Sequence, residues 1–258
     1  MYLIKNILKS LSAVALFTCT QTFAGDLVPL TTLTDEGSDH KGGYEFDIDN
    51  MEVRWTESDQ ISLSVNTNFL NFNNQKDTGT YGTGNIVFGD LFLTTYDENG
   101  VMNQFAFVLS DLIRNKSYLD PVLQNHTEYN AGGLYRYQGG KTAKEYHGMY
   151  ADVADSSTNV VATPVGSVLT SGDMHVFTQY SSDGFDQLTF DFNVDGISAF
   201  ESATQLSLRW AMTCANDIAD GTINIVRGPD NTTIPEPQTL LLMLLGLAGI
   251  AYRRKNTA

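Results

Sequence analysis

Apolar and polar residues alternate at a period of two along much of this chain. The clearest run is Leu188-Thr-Phe190-Asp-Phe192-Asn-Val194, with Leu206-Ser-Leu208-Arg-Trp210-Ala-Met212 and Thr222 to Val226 close behind. Tyr44-Glu-Phe46-Asp-Ile48 and Ile61-Ser-Leu63-Ser-Val65 alternate in the same way, and Phe105 to Leu109 and His175 to Tyr180 do so more briefly. A period of two places one set of side chains on a buried face and the other in water, as in half-buried strands. Turn dipeptides punctuate the runs: Gly42-Gly43, Asn99-Gly100, Gly132-Gly133, Gly139-Gly140, Asp183-Gly184 and Asp195-Gly196. Helical periodicity is confined to short stretches near Asp111–Asn115 and Ser198–Thr204. The pattern predicts an all-β domain, a two-layer antiparallel β-sandwich of jelly-roll type with little helix, over about residues 40–228. Trp55, Phe190, Phe192, Leu208, Trp210 and Met212 are its expected core.

Two stretches depart from this rhythm. Asn68 to Asn85 is rich in Asn, Thr and Gly and reads as a long surface loop. Residues 114–150 carry Tyr118, Tyr129, Tyr135, Tyr137, Tyr146 and Tyr150 between Gly-Gly and His-Gly steps. Tyr-rich, Gly-punctuated loops can present a polar binding surface, sugars included. They are equally the outer layer of a β protein, where each ring is buried and each hydroxyl wet.

The ends are of another kind. Lys5 and Lys9 precede an apolar stretch from Leu11 to Phe17, and Thr22-Phe23-Ala24 is a small-x-small site before Gly25. This reads as a secretory signal peptide over residues 1–24, handled by the Sec translocon and cut between Ala24 and Gly25. A lipoprotein signal ending at Cys19 fits less well, because Phe17 and Thr18 are poor residues before such a cysteine. At the other end stands Pro235-Glu236-Pro237, then an uncharged run over 239–252, then Arg253-Arg254-Lys255. The prolines fix φ and separate the body from the apolar run, and the basic triplet stops translocation from the cytoplasmic side. The apolar run has roughly 14 to 16 residues, short of the about 20 that span a bilayer comfortably. A permanent anchor would need bilayer thinning or snorkelling side chains, so a signal that is read and removed fits better.

The three-part tail resembles the PEP-CTERM sorting signal of Gram-negative bacteria. The resemblance covers about residues 234–255. It implies transient inner-membrane anchoring through 239–252, processing near Pro235-Glu236-Pro237 by an exosortase-type membrane enzyme, and delivery to the cell surface or extracellular matrix. The domain organisation is then a signal peptide at 1–24, a body at 25–233 and a sorting signal at 234–258.

Charge narrows the partners. The terminal segments hold five of the 15 Lys and Arg but only one of the 30 Asp and Glu. The body thus carries 10 basic against 29 acidic residues, a formal charge of −19. Such a surface repels nucleic acid and anionic lipid, keeps an exported protein in solution and offers sites to divalent cations. With Cys19 removed in the signal peptide, Cys214 is alone in the body, and its neighbours Trp210-Ala-Met212-Thr-Cys214-Ala favour burial.

Asp191-Phe-Asn193-Val-Asp195-Gly196 matches the first half of a calcium loop. The match fails at its twelfth position, which is Ser202, with Glu201 one place too early. A strand running into a turn explains the same residues; a weak calcium site would need Asp217 or Asp220 to complete it. Asp47, Asp49 and Glu52 form a vaguer acidic group. The segment from Leu208 to Gly221 is similar to a stretch in a group of exosortase-dependent surface proteins, in which a Trp strand runs into a Cys-x-Asn-Asp turn. Physically it predicts a last hairpin with Trp210 and Met212 inside and Asn216 and Asp217 capping the turn. The histidines His40, His126, His147 and His175 show no zinc spacing, and no nucleophile elbow, P-loop or dinucleotide fingerprint is present. The sequence therefore predicts a non-enzymatic surface or matrix component that binds exopolysaccharide or lies embedded in it. The alternative is a secreted polysaccharide hydrolase using two carboxylates that the sequence does not single out.

Overall fold

Phe190 and Phe192 point into the core from one strand, and the alternate residues Thr189 and Asp191 belong to its opposite face, as a pleated backbone requires. The same alternation builds every layer of the fold. The computed structural model describes residues 27–35, 46–71, 75–76, 85–114, 127–147, 157–177 and 186–226. The signal peptide, the Pro-Glu-Pro segment and the apolar run over 239–252 lie outside these residues. Among the described residues no helix is long and apolar enough to cross a membrane.

The strands are β1 (Val28–Thr34), β2 (Ile48–Trp55), β3 (Gln60–Thr67), β4 (Gln75–Lys76), β5 (Asn85–Ile86), β6 (Leu91–Asp97), β7 (Met102–Leu109), β8 (Thr127–Thr142), β9 (Asn159–Phe177), β10 (Asp186–Asn193), β11 (Ala203–Ala211) and β12 (Ile218–Asn224). Among the described residues three short α-helices join them: α1 (Asp111–Arg114), α2 (Ala143–His147) and α3 (Ser198–Glu201). β4 and β5 form a small ladder of their own. The other strands make one ten-stranded antiparallel sheet in the order β1-β2-β3-β10-β9-β8-β7-β6-β11-β12.

The all-β expectation holds, but the two-layer sandwich is corrected to a barrel-like sheet. Each strand pairs with the next in a single ladder, and the accumulated twist coils the sheet until its ends approach. At the seam between β1 and β12 the Val226 N–H donates to the Leu27 carbonyl at 3.0 Å. Leu33 of β1 lies against Gly221 of β12, where an added Cβ would meet the leucine at 2.9 Å. The apolar faces of all the strands then point at one another, so one core replaces the slab between two sheets. The expected core residues Trp55, Phe190, Phe192, Leu208, Trp210 and Met212 are all buried in it. Phe200, from α3, is buried and packs edge-on against Trp55 at 5.7 Å.

The predicted helices appear at Asp111–Arg114 and Ser198–Glu201, and the last hairpin as β11 and β12. Two other expectations are corrected. The start of the Asn-rich stretch is no surface loop: it forms a 3-10 turn at Asn68–Asn71 whose Phe69 and Leu70 are buried. The described part of the Tyr-rich region, 127–147, is not loop either: Tyr129, Tyr135 and Tyr137 stand on the sixteen-residue β8 and Tyr146 on α2, while Tyr118 and Tyr150 lie outside the described residues. Gly132, Gly133 and Gly140 are sites of close strand approach, while Gly139 takes a φ of +71° where the register shifts between Tyr137 and Gly140. A Cβ at Gly132 would fall on the Val108 carbonyl oxygen, and one at Gly140 on that of Val161.

Candidate functional site

The register of the outer strands sets out the site. Arg209 of β11 is opposite Asp220 of β12 on one side and Phe92 of β6 on the other, and Phe92 is opposite Ala106 of β7. The next row in the same direction is Thr222, Ser207, Thr94 and Gln104. A third is Asn224, Gln205, Tyr96 and Met102. These positions alternate with the core residues Leu206, Leu208 and Trp210, and so belong to the outer face.

One part of this face is roofed. β8 runs beside β7 as far as Arg136, then leaves it and continues with the start of β9. That end of the hairpin folds back, and Ala162 joins Phe92, Ala106, Val108 and Tyr137 in an apolar cluster outside the main core. Between roof and sheet lies a cleft of about 380 Å³, lined from these rows by Asp220, Arg209 and Phe92, by Thr222, Ser207, Thr94 and Gln104, and by Tyr96 and Met102, together with Leu208, Gly221, Tyr137 and Asn159. This is within the lower part of the roughly 300–1,000 Å³ typical of ligand sites.

Asp90 fixes the roof. Its carboxylate is fully buried, accepts the N–H groups of Leu109 and Ala162 and is paired with the Arg114 guanidinium. Arg114 also donates to the carbonyls of Phe88 and Leu109. Burial pushes the Asp90 carboxyl up, against the opposing pull of Arg114 and the two N–H donors. Three segments distant in sequence, at 88–90, 109–114 and 160–162, are tied together through this one side chain.

Inside the cleft the groups are mostly uncharged. The hydroxyls of Ser207 and Thr222 are 2.6 Å apart. Arg209 Nε lies 3.8 Å from Asp220 Oδ2, both side chains about half exposed. Tyr137 stands edge-on to Phe92 at 5.2 Å, and burial raises its phenol pKa against a smaller lowering by Arg209. It therefore presents a neutral hydroxyl at any ordinary pH.

The residues singled out from sequence lie elsewhere. Asp191 Oδ2 is 2.9 Å from His175 Nε2, with Asp173 directly opposite on β9. Asn193 Oδ1 accepts the Asp195 N–H at 2.8 Å, while its amide donates to the Ser58 carbonyl at 3.0 Å. The strand-and-turn reading accounts for both bonds. Asp220 is in the cleft, separated from β10 by intervening strands. Asp217 is buried and accepts the N–H of Ile48 at 2.7 Å and of Ile218 at 2.9 Å. It thus caps the turn as expected and also tethers β2. Asn216 does not share in the capping: it is wholly buried and, among the described residues, neither amide atom has a hydrogen-bond partner. Cys214 is buried, as its neighbours suggested. His147 Nε2 is 3.0 Å from Thr213 Oγ1, a buried contact that sequence spacing gave no sign of.

Residues 233–255 match the family model of the PEP-CTERM protein-sorting motif. This motif marks an exported protein that is anchored transiently in the membrane and processed by an exosortase-type enzyme. No curated protein and no solved structure matches the chain.

Proposed function

We propose that this protein is a non-enzymatic component of the cell surface or extracellular matrix whose body binds exopolysaccharide. The observation that carries the reading is the roofed cleft, where hydroxyls and amides from four strands face a half-buried tyrosine. Polysaccharides are chains of hydroxyl groups on weakly apolar rings. A floor of Thr94, Gln104, Ser207 and Thr222 supplies both donors and acceptors for the hydroxyls, and Tyr96 and Tyr137 offer apolar faces with polar tips. A groove open to solvent suits a polymer better than a closed cavity would. The hydrolase alternative needs two carboxylates across one substrate, and Asp220, already beside Arg209, is the carboxylate among the described lining residues.

Delivery is set by the tail: Pro235-Glu236-Pro237 is the processing segment, 239–252 the transient anchor and Arg253-Arg254-Lys255 the stop. Calcium through Asp191, Asn193 and Asp195 would act on stability rather than at the cleft.

The test incubates the full chain, purified in detergent, with the producing organism's own exopolysaccharide, with and without calcium. Co-sedimentation without new reducing ends is the expected result. New reducing ends would assign the body to the hydrolase class instead. Failure to sediment in both conditions would remove the polysaccharide reading. Deleting residues 234–258 should redirect the body from its normal compartment; identical location and C-terminal mass with and without the tail would contradict the sorting step.

A further inference from the structure

We infer that the cleft takes a non-acidic polysaccharide, neutral or amino-bearing, and discriminates against polymers of uronic acids. This rests on the reading of the cleft as a polysaccharide site and concerns which chain it accepts.

Charge inside the cleft cancels locally. Of its thirteen described lining residues, Arg209 and Asp220 are the charged ones, and they stand opposite each other on β11 and β12. An acidic sugar reaching Arg209 must displace or crowd the Asp220 carboxylate, which lies 3.8 Å from the Arg209 Nε, and like charges brought together disfavour each other. A neutral sugar meets no such conflict and bonds to Thr94, Gln104, Asn159, Ser207 and Thr222.

The surroundings push the same way. Past Tyr96 the sheet ends in a second hollow lined by Asp97, Glu98 and Glu201, and Thr204 joins the two by donating to the Tyr96 carbonyl at 3.2 Å. One oxygen of Asp97 is held by the N–H groups of Asn99 and Val101, so its charge is fixed in place near the cleft. The body as a whole carries a formal −19. A surface of one sign depletes ligands of that sign and concentrates those of the other, an effect that weakens as salt rises. A chain bearing ammonium groups would gain from this field, a neutral chain is indifferent to it, and a polyuronate is repelled.

Calorimetric titration of the full chain in detergent at low salt, with three defined hexamers, tests this: a neutral glucan, a glucosamine oligomer and a galacturonate oligomer. We expect the neutral and amino hexamers to bind at least about tenfold more tightly than the acidic one, with the gap narrowing at high salt. Asp220→Asn should narrow the gap between neutral and acidic ligands. Tyr137→Ala, or Tyr96→Ala should the first fail to fold, should weaken the neutral hexamer about tenfold. Equal or tighter binding of the galacturonate hexamer overturns the discrimination but leaves the polysaccharide reading standing. Binding to none of the three overturns that reading and the inference with it. Neutral binding untouched in a folded Tyr variant would place the site outside the cleft.

Discussion

The Asp90 carboxylate accepts the N–H of Ala162 at 2.8 Å, across 72 residues of sequence. That bond, with the partner bond to Leu109 and the ion pair to Arg114, holds the β8–β9 end over the outer face of β6 and β7. Without it the three rows of outer-face side chains would be an open sheet surface. With it they become the floor of a cleft.

Asp90→Asn should therefore be strongly destabilising. It keeps the shape but removes the counter-charge of a buried guanidinium, and breaking one side of a buried pair costs about 3–5 kcal/mol. Urea unfolding monitored by tryptophan fluorescence measures it. A loss below about 1 kcal/mol would show that Arg114 finds solvent instead.

Asp217→Ala and Asn216→Leu should behave in opposite ways. The first leaves the buried Ile48 N–H without its acceptor, a loss of about 1–3 kcal/mol. The second replaces an amide that has no hydrogen-bond partner with an apolar side chain of similar volume, which is nearly neutral or stabilising. Thermal melts of both variants, side by side, provide the comparison; equal destabilisation would mean that Asn216 is satisfied by ordered water.

Gly132→Val should disturb β8 itself. The new side chain would run into the Val108 carbonyl oxygen and the Phe107 ring. Overpacking of this kind costs about 1–3 kcal/mol, whereas Gly100→Ala on the exposed β6–β7 turn meets only the strain of its φ of +75°. Denaturant midpoints should rank the two in that order.

Glu145 gives a pH dependence of known sign. Its carboxylate accepts the Thr142 N–H at 2.9 Å and the Thr142 hydroxyl at 3.1 Å, and Thr142 Oγ1 accepts the Glu145 N–H in return. This is a capping box at the start of α2. The Thr142 backbone bond, then its hydroxyl, lowers the Glu145 pKa from the ordinary value of 4.5. A lowered folded value means that the contribution is complete above about 4.5 and is lost as pH falls through the lower folded value. Stability of Glu145→Gln measured across that acid range should lack this step.

The alternation in Leu188–Val194 and Leu206–Met212 was enough to place β10, β11 and the core residues Phe190, Phe192, Leu208, Trp210 and Met212. That is because burial on one face of a strand is a local, period-two constraint written into adjacent residues. The sorting motif at residues 233–255 was legible for a similar reason, since such a motif is a short linear segment. The Gly-Gly pairs of β8 were not, because a glycine placed for close strand approach looks in sequence like one placed for a turn. Nor was the choice between barrel and sandwich, which depends on whether the ladder runs unbroken from β1 to β12.

The cleft belongs wholly to the second kind of information. Phe92, Tyr137, Arg209 and Asp220 come from four strands, and no spacing links them. Sheet register puts Arg209 opposite Asp220, and the Asp90 anchor brings Tyr137 over Phe92. The sequence determined what the strands bury and that the protein is exported through a sorting motif. Which of the exposed side chains share a site was decided only by tertiary structure, because strand order and the fold-back of β8 and β9 are set by contacts between residues far apart in the chain.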